Sequence, residues 1–297
     1  ASDVAGEIPG MSENFPKPRA LTETEILALV ERFATTAELA EKSGFTGVQI
    51  HAAHGYLINQ FLSPLTNRRD DRWGGSLENR ARFLFEVARA VRTRVSSQFC
   101  VSVKLNSADF QIGGFDMSDA KWVVDQLGEM AVDLVELSGG SYESPAMQGR
   151  GSDGTSTARR EAYFVEFARE VAATAQMPIM VTGGIRSRGV AEDAIKQQTS
   201  GIGVSVLGIA RAMAFEPDII ANWQSGTSLQ VDIPEVRWKN KRMAGFASMV
   251  LAYVQLERLS LGKSPNKGGI PILALIGNQM KTKKRTKLYR KWRESQA

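Results

Sequence analysis

Apolar and polar positions change their period repeatedly along this chain. Residues 1–20, rich in Gly, Pro, Ser and Asn, read as a loop. Thr22 and Glu25 then form a capping-box pair, and Ile26, Leu29, Val30, Phe33, Ala37 and Ala40 recur at helical spacing until Gly44. The apolar run Thr46–Ile50 reads as a buried strand, followed by a helix from about Ser76 to Arg94 and a strand from Phe99 to Leu105. After a Gly113-Gly114 turn come a helix over about 118–130, a strand over Val132–Leu137 and a polar loop to about Thr157. A helix over 160–175, a strand over Ile179–Thr182, a helix from Ser187 and a strand over Ile202–Leu207 complete the alternation. Five strand–helix alternations predict a parallel α/β fold. A barrel is favoured over a doubly wound sheet, because no Gly-x-Gly-x-x-Gly follows the first strand and charged loops sit at the strand ends.

Composition narrows the picture only in places. The 297 residues suffice for one barrel or two modest domains, and 43% hydrophobic with 23% charged residues is ordinary for a globular protein. The single cysteine, Cys100, excludes an intrachain disulfide and a Cys-ligated zinc or iron–sulfur centre. Neither a leader peptide nor a run long enough to span a membrane is visible, so a cytoplasmic location is expected. The formal charge of +5 is unevenly spread. Residues 237–297 hold 15 Lys and Arg against Glu257 and Glu294, a balance of +13, which leaves 22 − 30 = −8 for the rest. The basicity belongs to the tail, so nucleic-acid binding by the body is not expected.

Chemistry concentrates between Val48 and Arg82. Both histidines of the chain, His51 and His54, lie three residues apart just after the first strand, followed by Tyr56. Imidazoles in one turn can donate hydrogen bonds to a single carbonyl oxygen. They can also be a satisfied core pair, or part of a metal site. The metal reading lacks a third histidine or a second cysteine, so no metal is expected. Tyr56 can equally be packing under a loop, and Lys104 a strand-end lysine reaching solvent. Gly183-Gly184 after one strand and Gly208-Ile209-Ala210-Arg211 after the next suit backbone approach to a phosphate, with Arg211 able to grip it bidentately. Arg69, Asp71, Asn79 and Arg80 are expected to pair with one another and fix the loop. Loop 139–158 is expected at the pocket mouth.

The histidine stretch closely resembles the Old Yellow Enzyme family, matching its pattern at Gly47, His51, His54, Gly55, Tyr56, Leu57, Gln60, Phe61, Leu62, Pro64, Asn67, Arg69, Asp71, Trp73, Gly74, Gly75, Ser76, Asn79, Arg80 and Arg82. The resemblance implies a TIM-barrel type (β/α)8 fold of which this chain carries strands 4–8. The implied organisation is a connecting loop at 1–20, a partial flavin-binding barrel at 21–225 and a basic helical extension at 226–297. It implies FMN as cofactor, NADH or NADPH as reductant and α,β-unsaturated carbonyl compounds as substrates. In that reading His51 and His54 bind the substrate, Tyr56 donates the proton, Lys104 tunes the flavin, and Gly183, Gly184, Ala210 and Arg211 hold its phosphate. The family usually has Gly at position 210, so Ala210 serves only if its φ is negative. A branch with a four-Cys cluster, resembling dienoyl-CoA reductases, is excluded. The alternative reading is a non-catalytic or partner-dependent half-barrel lacking part of the flavin pocket. With strands 4–8 alone, weak FMN binding through the phosphate end, exposed strand edges and a tendency to oligomerise are expected. For the tail helices, Met243–Leu261 and Lys281–Arg293, packing against the barrel or a partner is favoured over membrane contact.

Overall fold

The computed structural model describes residues 1–4, 17–139, 164–196 and 203–296. Two compact units emerge. The first comprises residues 1–185 and 190–208, the second residues 186–189 and 209–297.

The first unit opens with helix α1 (Glu23–Lys42), and its start is chemically explicit. Thr22 accepts from the Glu25 amide, and the Glu25 carboxylate returns a bond to the Thr22 amide. Five strands follow, β1 (Gly47–Ala52), β2 (Cys100–Asn106), β3 (Leu134–Ser138), β4 (Ile179–Thr182) and β5 (Val206–Gly208). They pair in sequence order, every pair parallel, as a partial barrel would. Between them lie α2 (Leu57–Leu62), α3 (Leu77–Arg94), α4 (Met117–Gly128), α5 (Val165–Ala172) and α6 (Arg188–Ile195). Residues Ile50, Val103, Val135 and Ile179 stand in register on one face of the sheet, as do Ala52, Leu105, Leu137 and Val181. All eight are buried. Against the helical side, α3 contributes Phe83, Leu84, Val87 and Val91, with Phe83 against Phe61 at 4.7 Å between ring centroids. Full burial of such side chains stabilises by about 1.5–3 kcal/mol each.

Several expectations need correction. The first strand runs on to Ala52, so His51 is a strand residue and only His54 lies in the turn. Leu57–Leu62, which the sequence reading leaves in a loop, is a helix of six residues. The arginine cluster is wired differently as well. Arg69 does grip Asp71, but Arg80 is buried and donates to the carbonyls of Leu62 and Gly75 and to Asp119 at 3.4 Å. Asn79 accepts instead from Arg82. The reason is local: Leu62 ends α2, where carbonyls lack intrahelical partners and a buried guanidinium answers one. Loop 139–158, apart from Gly139, lies outside the described residues.

The second unit contains α7 (Arg211–Phe215), α8 (Ile219–Ser225), α9 (Lys241–Ser260) and α10 (Pro271–Glu294). Helix α10 begins ten residues before the predicted Lys281, with Pro271 in its first turn. The carbonyls of Arg186 and Leu229 accept from Val231 and Arg188, joining the 186–189 segment to this unit.

Asn67 offers a test of how the histidine region is braced. Its buried amide donates to the carbonyls of Phe61 and Trp73, each at 2.7 Å. Asn67→Ala should lower stability by roughly 2 kcal/mol, since two buried carbonyls lose their donor. A urea midpoint unchanged from the parent chain would show that the bracing is dispensable.

Candidate active site

The alternation of the strands places one polar row on the sheet face opposite the helices. In register across β1, β2 and β3 stand His51, Lys104 and Glu136. Gln49, Ser102, Asn106 and Ser138 flank them on the same face, because side chains two apart on a strand point the same way. Lys104 donates to Glu136 at 2.7 Å, and the second Glu136 oxygen accepts from Gln49 at 2.9 Å. Lys104 is therefore inside its strand and paired, rather than at a strand end reaching solvent. An ammonium has three protons, so this contact leaves two for other acceptors.

The turn after β1 is held in an uncommon shape. His54 has φ 63° and Gly55 φ 78°, consecutive left-handed residues. For a histidine this conformation costs about 1–2 kcal/mol. The offset is a buried clasp. The His54 amide donates to Asn106 Oδ1 at 3.2 Å and the Gly55 amide to Asn59 Oδ1 at 2.7 Å. Both asparagines then donate to Asp109 Oδ1, at 3.1 Å from Asn106 and 3.4 Å from Asn59. The other Asp109 oxygen accepts from the Phe115 amide at 3.1 Å. Asn59, Asn106 and Asp109 are all buried. Three residues from three segments thus dictate how His54, Gly55 and Tyr56 leave the strand.

The three rings that result are close together. Ring centroids lie 5.3 Å apart for His51 and His54, and 5.0 Å for His51 and Tyr56. Tyr56 caps α2 and is 46% exposed, so its ring borders both the cluster and solvent. His54 Nε2 meets Ser138 Oγ at 2.9 Å. Burial, followed by the nearby Lys104 and His51, brings the His54 pKa down to about 4. The His51 pKa is also lowered, by burial first and Lys104 second, against an opposing pull from Glu136. Both imidazoles are neutral near pH 7, each with one N–H to donate.

The glycine pair ends β4 in the same unit, with Gly183 at φ 144° and Gly184 at φ 71°. Residues other than Gly would strain this backbone. Ala210 and Arg211 belong to the second unit. Ala210, at φ −111°, precedes the first residue of α7, Arg211. The backbone condition for alanine at position 210 is met.

The sequence reading missed Gln49, Asn59, Asn106, Asp109, Glu136 and Ser138. Glu136 and Ser138 carried a usable signal, as polar residues at alternate positions in the otherwise apolar strand Leu134–Ser138. Asn106 lies two residues after Lys104 in β2 and was readable by the same parity. Asp109 and Asn59 carried none, since they sit in a loop and a short helix whose partners are 50 residues apart in sequence.

The chain matches the NADH:flavin oxidoreductase / NADH oxidase family over residues 2–230. It is 44% identical over 207 residues to the NADH-dependent flavin oxidoreductase iliE of Hypocrea jecorina (strain QM6a), covering 68% of this chain and 50% of that protein. To the NADH-dependent flavin oxidoreductase nadA of Aspergillus parasiticus (strain ATCC 56775 / NRRL 5862 / SRRC 143 / SU-1) it is 39% identical, over 73% of this chain and 48% of that one. A solved complex of 2-naphthoyl-CoA reductase with 2-naphthoyl-CoA, 27% identical, superposes with a TM-score of 0.65 over 76% of this chain and 32% of that one. The chain spans about half the length of the curated relatives it matches. The histidine stretch, both glycine positions and the whole five-stranded sheet lie inside the matched span, and the chain belongs to the NADH:flavin oxidoreductase / NADH oxidase family.

Proposed function

We propose that this chain carries the substrate-polarising and proton-delivering part of an FMN-dependent oxidoreductase, which takes electrons from NADH or NADPH and reduces the C=C bond of α,β-unsaturated carbonyl compounds. The observation that carries this reading is the cluster of two neutral imidazoles and a tyrosine set by the buried clasp, in a chain of a flavin oxidoreductase family. The residues present fit the cofactor. Gly183 and Gly184 offer a side-chain-free backbone to its phosphate, and the two spare protons of Lys104 suit the electron-rich edge of the ring. Ala210 and Arg211, at the head of α7 in the second unit, offer by themselves the backbone N–H and guanidinium chemistry that an anion needs. Bound FMN supplies hydride chemistry that no side chain of this set possesses.

The protein's own contribution is polarisation and protonation. A proton donated by Ser138 to His54 Nε2 leaves Nδ1 as the imidazole donor. His51 and His54 N–H groups then hold the substrate carbonyl, and their bonds strengthen as negative charge grows on its oxygen. Neutral imidazoles do this without giving their proton away. Tyr56 delivers the proton to the α-carbon, and its exposure allows replenishment from water.

The test of this reading is the Tyr56→Phe variant, which keeps the ring and removes the proton. Mixed with FMN and followed by stopped-flow absorbance, it should be reduced by NADPH or NADH at the parent rate. Its oxidation by a cyclic enone should slow by about 100-fold. Equal slowing of both half-reactions would overturn the proton-donor role. A chain that stays colourless and inactive after FMN addition would instead favour the non-catalytic half-barrel.

The histidine electrostatics give a second expectation. The chain has only two histidines, so both imidazole Cε1 protons can be followed by NMR. His54 should titrate near pH 4 instead of 6.5. As pH falls from 6.5 towards 4, the unfolded chain binds a proton that folded His54 refuses, so stability declines through that window. His54→Gln should flatten this part of the stability profile. A His54 midpoint at 6.5 would remove the case for a neutral donor.

A further inference from the structure

The family match ends at residue 230, and two long helices lie beyond it. One face of α9 is buried through Ala244, Ala247, Val250 and Leu251. Its opposite face carries Met243, Phe246, Met249, Tyr253 and Leu256, spaced by three or four residues and each at least 41% exposed. Helix α10 buries none of its residues. Its first half exposes Ile272, Leu273, Ile276 and Met280. Its second half places Leu288 and Trp292 one turn apart, with the Tyr289 and Trp292 rings 5.7 Å between centroids and all three more than half exposed.

Charge is distributed just as unevenly. From residue 271 to 297 there are eight Lys and Arg against Glu294, a net charge of 8 − 1 = +7. Among the described residues only Lys281 of these cations pairs with a carboxylate, Glu257 on α9. The surface is therefore strongly basic and broadly apolar at once.

That combination selects among partners. Water alone would suit the cations but not a stripe of exposed Ile, Leu, Met and Trp side chains. A nucleic acid would neutralise the charge and leave the aliphatic groups without apolar contact. A second copy through this surface would set +7 against +7. A bilayer containing acidic lipids meets both demands, with headgroups opposite Lys and Arg, acyl chains under the aliphatic groups, and Trp and Tyr at the boundary. No described helix is long and apolar enough to cross a membrane, which leaves docking on the surface.

We propose that α9 and α10 form a docking surface for an anionic lipid bilayer, holding the protein peripherally at a membrane. This stands independently of the catalytic reading and reverses the preference drawn from sequence, in which these helices packed against the barrel or a protein partner. Their exposed apolar residues and unpaired cations are the reason.

Sedimentation of the full chain with vesicles tests it. The chain should pellet with phosphatidylcholine vesicles containing phosphatidylserine, remain in solution with phosphatidylcholine alone, and be released by raised salt. The triple variant Lys283→Gln, Lys287→Gln, Arg290→Gln should bind on the order of a hundredfold more weakly, three charges each contributing about a factor of five. Leu288→Ala with Trp292→Ala should weaken binding at unchanged charge. These residues are all exposed, and circular dichroism of each variant checks that the fold is kept. Absence of sedimentation with phosphatidylserine vesicles would overturn the proposal. So would a stable dimer lost on the Leu288 and Trp292 substitutions, or duplex DNA binding that displaces the chain from vesicles and ignores those substitutions.

Discussion

The site depends on one buried carboxylate. Asp109 is 3% exposed, and its nearest partners are neutral donors: two asparagine amides and one backbone amide. A buried charge without compensation is expensive, and several aligned donors are what make it tolerable. Each asparagine is turned by that contact so that its oxygen faces the His54 or Gly55 amide. An amide side chain presents an acceptor on one side and donors on the other, so the carboxylate fixes which end faces the turn. The left-handed pair at 54 and 55 follows, and with it the approach of three rings to about 5 Å.

A second constraint is the mutual dependence of the charges on the polar face. Lys104 in the middle of a parallel strand is tolerated because Glu136 stands in register beside it and Gln49 occupies the other carboxylate oxygen. Removing Glu136 alone would strand a part-buried cation, a costlier change than losing both partners together. The same lysine helps depress both histidine pKa values. The pair is thus near neutral in sum and still polarising in detail, since the ammonium outweighs the carboxylate at His51. This arrangement favours neutral imidazoles, the state that the proposed substrate contact needs.

How much was legible beforehand follows from the range of each interaction. The Thr22–Glu25 capping box and the strand Ile179–Thr182 are local, and both were readable from consecutive residues. The family resemblance located the ring cluster because His51, His54 and Tyr56 lie within six positions. The strand end at Ala52 was misread because a histidine resembles the start of a loop, while the pairing of His51 with Lys104 across the sheet decides otherwise. Helix α2 was missed because Leu57–Leu62 is too short for helical periodicity to declare itself. Asp109 and Asn59 were invisible for a deeper reason. The contact that joins them spans 50 residues, which neither spacing nor composition encodes.

The clasp also explains why the turn sits where the sheet changes character. Below it, β1 to β3 set apolar residues against the helices, with Gln49, His51, Ser102, Lys104 and Glu136 on the opposite face. At the upper end of β2, Asn106 is still in register with Ser138, and it is there that β1 ends and gives way to the His54 turn. Ser138 answers the His54 ring while Asn106 answers its backbone, so one register pair fixes both the main chain and the imidazole. A one-residue slip of β2 against its neighbours would turn Asn106 to the helical face and bury it beside Ala52 and Leu137 without a partner. The apolar core on one side therefore enforces the register that the chemistry on the other side requires.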